Sequence, residues 1–239
     1  MPEGPVDLSL VIPCLDEERR LPESLAKVMP YLERRDRSFE LVLVDDGSGD
    51  GTLGLMRDLA RRDPRVKVVS HPANRGKGRS LADGVAASTG GLVLVSDADF
   101  STPIDELPKL EAAIAAGADV AIASRAIRGA RVEVSQPVYR VLMGKIFNLL
   151  VQAVLLPGLW DTQCGFKLFR GELGRSLFAE LRTDGFGYDI EVLHRARRRG
   201  ARIAEVPVLW LNSAPTKVAA FRHSLEMFVD IFRVRLGRW

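Results

Sequence analysis

The first 125 residues repeat one pattern: a short apolar run, a polar cluster, then a stretch of helical periodicity. The apolar runs are LSLVI (8–12), FELVLV (39–44), VKVVS (66–70), GLVLV (91–95) and DVAIAS (119–124), with helical patterns near 17–35, 52–62, 76–88 and 104–116. Near-continuous Val, Leu and Ile runs suit strands buried on both faces, as in a parallel sheet covered by helices. Alternation of such strands with helices predicts an α/β fold, a mostly parallel sheet with helices on both faces. Ligands of such sheets gather beyond the carboxyl ends of the strands. The polar clusters stand there: PCLDEE after the first strand, DDGSGDGT after the second and SDAD after the fourth.

Several function classes drop out. No G-x-G-x-x-G follows the first strand, and NRGKGRS (74–80) is not G-x-x-x-x-G-K-[ST], so neither a dinucleotide fold nor a P-loop is supported. The formal net charge of +3 comes without a dense Lys/Arg run interleaved with aromatics, which argues against nucleic acid and leaves anionic substrates or an anionic membrane surface. Cys14 and Cys164 are the only cysteines and have no metal-like spacing. The amino-terminal MPEGPVDLSLVIP has no signal-peptide pattern, and the expected location is cytoplasmic. With 239 residues, 46% of them hydrophobic, one large domain with an appendage is expected.

Beyond residue 126 the character changes. The stretch 138–160 is strongly apolar, but Lys145, Asn148 and Gln152 form a polar stripe, which predicts an interfacial or packed helix and not a span. The last segment sets Val218, Phe221, Leu225, Phe228, Phe232 and Leu236 on one helical face, with Arg222, His223, Arg233, Arg235 and Arg238 mostly elsewhere. Such a basic amphipathic helix lies on a membrane surface or packs on its own domain.

SDADFS (96–101) ends an apolar strand in two carboxylates spaced i, i+2. Two acids there repel each other unless they share a cation; the plainer alternative is a loop and helix cap, for which one acid suffices.

VIPCLDEE (11–18), VLVDDGSGDGT (42–52), NRGKG (74–78) and VSDADFS (95–101), in this order on these strand ends, resemble the family 2 nucleotide-sugar glycosyltransferases, which have the Rossmann-like GT-A fold. Downstream, ASRAIRG (123–129), DTQCGFKLF (161–169), GFGYDIEVL (185–193) and EVPVLW (205–210) look like the polyprenyl-phosphate branch, and DTQCGFKLF looks most like its dolichyl-phosphate glucosyltransferases. The chain departs from the mannosyl enzymes at Ser101, where they commonly have Gln, and at Gly144, where they have Ser.

The resemblance implies a GT-A domain over 1–213, with a nucleotide-sugar half (1–125) and an acceptor half (126–213), followed by the helix of 214–239. It implies an inverting transfer of glucose from UDP-glucose to a polyprenyl phosphate, with GDP-mannose as the alternative donor and a saccharide hydroxyl as the alternative acceptor. A silent nucleotide-sugar-binding module is the remaining alternative. It implies Mg²⁺ or Mn²⁺ on Asp99, with Asp97 on the ribose or a metal-bound water and Ser101 as a weaker ligand. Asp45 and Asp46 would read base and ribose, with Gly47 and Ala98 beside the nucleotide and Pro13, Leu15 and Glu17 lining the other side of the base. Asp16 has N-capping as its plain alternative. Lys77 would approach the diphosphate, with Gly76 and Gly78 allowing close approach, and Lys217 would clamp it; a solvated Lys77 is the competing reading. Arg125 and Arg140 would hold the acceptor phosphate, because guanidinium forks suit phosphate oxygens. Asp189 and Glu191 are either a base pair for a hydroxyl acceptor or groups that orient acceptor-side loops.

Overall fold

The computed structural model describes residues 6–133, 138–211 and 220–237. The strands are β1 (Leu8–Cys14), β2 (Phe39–Asp45), β3 (Val66–Ser70), β4 (Leu92–Val95), β5 (Val120–Ser124), β6 (Arg131–Val132), β7 (Lys167–Arg170), β8 (Ile203–Pro207) and β9 (Leu209–Trp210). The helices are α1 (Arg20–Glu33), α2 (Thr52–Arg62), α3 (Lys77–Ala86), α4 (Leu107–Ala115, entered through a 3-10 turn at Ile104–Glu106), α5 (Val138–Val154), α6 (Gly171–Ala179), α7 (Tyr188–Arg198) and α8 (Ala220–Leu236).

A seven-stranded sheet runs in the order β3-β2-β1-β4-β7-β5-β8, and β6 pairs with β9 in a second, two-stranded sheet. Every pairing in the large sheet is parallel except those of β7, which lies antiparallel between β4 and β5. One sheet therefore takes strands from both halves of the chain. Register places Lys167, the first residue of β7, beside Val95 and Ile122, under the loop that follows β4.

The period of two along the strands divides the core between the faces. Leu8, Leu10, Ile12, Leu41, Leu43 and Leu94 point toward α1, α2 and α4. Val11, Val42, Val44, Val93 and Val95 point toward α3 and the helices of the second half. Both faces are covered, as the apolar runs require. The helix expected over 138–160 stops at Val154, ahead of Pro157, which favours extended backbone before it.

α8 packs on its own domain through Phe228 of the expected face and through Ile231 and Val234 outside it. Ile231 and Val234 are buried and Phe228 meets Phe147 of α5 edge to face at 5.3 Å, whereas Phe232 is 51% and Leu236 63% exposed. The helix carries apolar residues on two sides, so a single predicted stripe merged the packed side with the open one. Val218 lies outside the described residues, as do the side chains of Phe221 and Leu225. Among the described residues, no helix is long and apolar enough to cross a membrane.

Candidate active site

The loops that follow β1 and β2 are stitched together. Ser48 Oγ accepts from the Asp16 amide at 3.0 Å, Asp16 Oδ1 accepts from the Gly49 amide at 2.8 Å, and Thr52 Oγ1 accepts from the Glu17 amide at 2.8 Å. Asp16 is therefore a cross-loop tie with φ at 54°; the N-cap of α1 is Arg19, with no side-chain cap. Glu17 is nearly buried and takes Arg20 Nε at 2.7 Å. Pro13 is half-buried and Leu15 is exposed at this rim.

Asp45 and Asp46 are both buried, and they differ in task. Asp45 ends β2 with a long contact of 3.4 Å from the Ser48 amide. Asp46 Oδ1 accepts from the Arg75 amide and Oδ2 from the Gly76 amide, each at 2.9 Å, and His71 Nδ1 lies 2.8 Å from Oδ1. The structure thus turns Asp46 onto the 74–76 loop, where the sequence had suggested base or ribose. Gly47 has φ 76°, and a Cβ there would sit 2.5 Å from the Ala73 carbonyl carbon, so its glycine admits that same loop.

The loop delivers Lys77. Its Nζ lies 2.5 Å from Asp97 Oδ1, so the amine has a carboxylate partner. Gly78 serves a different neighbour from the one expected. Its amide donates to the Asp184 carbonyl at 2.7 Å, and a Cβ would meet the Thr183 carbonyl, so it admits the 183–185 backbone and not a nucleotide.

Asp97 and Asp99 leave β4 on a loop whose Phe100 holds φ at 44°, unusual for a bulky side chain and typical of functional loops. Asp99 Oδ1 accepts from the Ser101 amide at 2.9 Å, and the Ser101 carbonyl accepts from the Leu211 amide at 2.7 Å. Ala98, between the two acids, is buried in the core. Burial pushes the Asp97 carboxyl up, but Lys77, with Lys167 and Arg125 further off, outweighs it and holds Asp97 below its ordinary value. Burial likewise depresses the Lys77 ammonium, and Asp97 and Asp189 more than reverse this.

The DTQCGFKLF segment (161–169) lies against the Asp97 loop. Asp161 Oδ2 accepts from Arg125 Nε at 2.7 Å and from its amide at 2.9 Å, and Oδ1 accepts from Nη2 at 2.9 Å. This fork leaves Nη1 outside the pair, and the guanidinium lies 5.3 Å from the Trp210 ring centre. Cys164 is buried. Gly165 abuts the metal-loop acid: a Cβ would fall 2.2 Å from Asp97 Oδ2. Lys167, fully buried at the start of β7, donates to the Cys164 carbonyl at 2.5 Å and pairs with Asp189. Burial drives the Asp189 carboxyl up, and Lys167 offsets this only in part. Glu191 accepts from the Thr183 amide at 2.8 Å and from Arg195 Nε at 2.8 Å. Neither acid is presented to an incoming hydroxyl; both hold the loops around the site.

Arg128 and Arg131 are exposed. Arg140 lies on α5, but its side chain is outside the described residues, as is Lys217 altogether. Sequence reasoning passed over His71, Asp161, Gly165 and Lys167 as separate actors. For Asp161 and Gly165 the motif itself was the signal; for a single histidine after a strand there was none.

No cluster of three His, Cys, Asp or Glu side chains stands ready for a metal among the described residues. Asp97 and Asp99 offer two carboxylates from one loop, with the Ser101 hydroxyl beside them. An all-oxygen set with few protein ligands fits a hard cation that keeps waters and takes ligand phosphates, as Mg²⁺ and Mn²⁺ do.

A mixed α/β sheet with these acidic loops at its strand ends and an acid pair after β4 defines a GT-A glycosyltransferase. The chain belongs to glycosyl transferase family 2, whose model matches residues 9–178. It is 32% identical over 255 residues to the dolichyl-phosphate beta-glucosyltransferase of Homo sapiens, covering 97% of this chain and 77% of that protein. The Saccharomyces cerevisiae protein of the same name is 30% identical over 248 residues, covering 96% and 74%. Among solved structures, glucosyl-3-phosphoglycerate synthase from Mycobacterium tuberculosis, in complex with Mn²⁺, UDP-glucose and phosphoglyceric acid, superposes with a TM-score of 0.72 at 23% identity. It covers 97% of this chain and 80% of that one.

Proposed function

We propose that this glycosyltransferase moves glucose from UDP-glucose to a polyprenyl phosphate of the dolichyl type at the cytoplasmic face of a membrane, inverting the anomeric centre. The observation that carries the reading is the Arg125–Asp161 fork, which fixes a guanidinium beside the Asp97 loop with Nη1 outside the pair. The dolichyl-phosphate relatives, matched over nearly the whole chain, support the same acceptor.

The residues divide the work. Pro13, Leu15, Glu17 and Asp45 line the base and ribose side, Asp46 and Gly47 shape the loop that carries Lys77, and Lys77 turns to the diphosphate. Asp99, with Asp97 and Ser101, would hold Mg²⁺ or Mn²⁺, which as a Lewis acid would stabilise charge on the departing nucleoside diphosphate. Arg125, aided by Arg140, holds the acceptor phosphate, and Lys217 closes on the donor.

A phosphate monoester is anionic near neutral pH and attacks without a general base. Its oxygen forms the bond to the anomeric carbon as the bond from that carbon to the diphosphate oxygen breaks, giving the β-linked lipid phosphate sugar and UDP. The chain's task is then alignment and charge stabilisation. With Asp189 held by Lys167 and Glu191 by Arg195, neither of these acids is free to act as a base for a sugar hydroxyl.

Residues 1–125 form the donor half, 126–213 the acceptor half, and the helix within 214–239 lies against the membrane. Support comes from Met143, Ile146 and Leu149 on α5 and Val229, Phe232 and Leu236 on α8, all exposed, with Arg233 and Arg235 beside them.

The test is a panel of UDP- and GDP-sugars with a short polyprenyl phosphate, with and without Mn²⁺. Transfer from UDP-glucose to the lipid phosphate, abolished by Asp99→Ala in a folded protein, is expected. Transfer from GDP-mannose alone would overturn the donor, and transfer to free saccharides the acceptor.

A further inference from the structure

His71 directly follows β3 and is buried. Its ring bridges two elements: Nδ1 lies 2.8 Å from Asp46 Oδ1 and Nε2 lies 3.1 Å from Asp83 Oδ2 on α3. A carboxylate only accepts, so each contact is a hydrogen bond where that ring nitrogen carries a proton. Asp46 and Asp83 face His71 together with Arg75, whose Nη1 is 3.3 Å from Asp83, and Arg79, whose Nη2 is 2.8 Å from it.

The inner carboxylate is the one with reach. Asp46 accepts from the two successive amides of Arg75 and Gly76, immediately ahead of Lys77, and Lys77 meets Asp97. Without a donor on Nδ1, Asp46 keeps two backbone amides on one side and loses the group that fixes its plane on the other. The outer contact, to Asp83, ties the ring to α3; Asp83 also takes the Arg75 side chain, with Nη1 at 3.3 Å, but accepts from neither loop amide.

We propose that His71 is a positioning residue of the donor site, which through Nδ1 and Asp46 orients the 75–76 backbone and so aims Lys77 at Asp97. The inference rests on the assignment of Lys77 and Asp97 to the nucleotide-sugar donor.

The two ring nitrogens can be separated by substitution. The amide nitrogen of Asn falls near the place of Nδ1, and that of Gln near Nε2. Calorimetric binding of UDP in the presence of Mn²⁺ should weaken about tenfold in His71→Gln, the size of one lost charge-assisted hydrogen bond, and stay within about twofold in His71→Asn. Asp83→Asn, which loosens the outer contact and the Arg75 and Arg79 side chains but leaves both loop amides on Asp46, should also stay within about twofold. In a Lys77→Met background, His71→Gln should add less than about twofold, because its effect passes through Lys77. Melting temperatures measured in parallel show which variants are folded.

Equal loss in the Asn and Gln variants, a loss in Asp83→Asn as large as in His71→Gln, or a full additional loss in the Lys77→Met background would each overturn the proposal and leave a plain structural role. If neither His71 variant folds, Asp83→Asn decides alone by the same criterion. If the wild type binds GDP and not UDP, the donor assignment fails instead, and the same variants are compared with GDP.

Discussion

Lys77 Nζ and Asp97 Oδ1 lie 2.5 Å apart, joining the start of α3 to the loop after β4 across the mouth of the sheet. The ammonium neutralises one of the two acids that follow the apolar strand β4. It also stands where a divalent cation's charge would act.

Lys77→Met should therefore change two affinities in opposite directions. Without its internal counter-charge the acid pair should bind Mn²⁺ more tightly in the absence of nucleotide, by about threefold to tenfold, read by the loss of free Mn²⁺ signal in electron paramagnetic resonance. Affinity for UDP should fall by about tenfold or more. Weaker Mn²⁺ binding in the variant would count against a competing role for the amine.

Gly165→Ala places a methyl group 2.2 Å from Asp97 Oδ2, so the carboxylate has to leave its position. A displacement near 1 Å at a reacting centre lowers turnover by about a hundredfold. The loss should appear in kcat with an unchanged circular dichroism spectrum and a melting point close to that of the wild type, since the neighbour that yields is a side-chain end and not backbone.

Asp161→Asn tests the acceptor fork and its pH dependence. Burial pushes the Asp161 carboxyl up, and Arg125 pulls it down further, so the net value is lowered. A lowered carboxyl binds fewer protons folded than unfolded. Its contribution is therefore present in full above the ordinary carboxylate range near pH 4 and is lost as pH falls through the lowered value. The variant should lose about 2 kcal/mol at neutral pH, less than for a wholly buried pair because the Arg125 side chain is 29% exposed. Urea midpoints measured from about pH 7 down to about pH 2.5 should show the gap from wild type closing below about pH 4. A constant gap would contradict the assignment.

Leu149→Asp together with Phe232→Asp should leave stability nearly unchanged, because these side chains are 66% and 51% exposed. Co-sedimentation with anionic phospholipid vesicles should drop by about tenfold or more, as charges replace apolar groups that enter the interface. Vesicle binding equal to that of the wild type would remove α5 and α8 from the membrane surface.

The alternation of elements was readable because burial is written locally. A strand between two helical layers needs apolar residues at nearly every position, and LVLV at 92–95 meets that need wherever the strand sits in the sheet. The acid pair was readable for the same reason: two carboxylates at a strand end announce a ligand or a counter-charge. The counter-charge itself was not readable, since Lys77 approaches from another loop. Asp46 shows the same limit. Its place in DDGS marks it as part of the site, yet its carboxylate turns to the amides of residues 75 and 76 and not outward.

The sequence by itself determined the alternating strands and helices of the first 125 residues, which strand ends carry chemistry, and the family to which the chain belongs. Only the tertiary structure decided the partners. β7 enters antiparallel between β4 and β5, and this alone puts Lys167 and Gly165 under the Asp97 loop. Local periodicity records whether a residue is buried. Which charge meets which is set by strand order, through contacts between residues as far apart as Asp97 and Gly165, and no local pattern encodes that order.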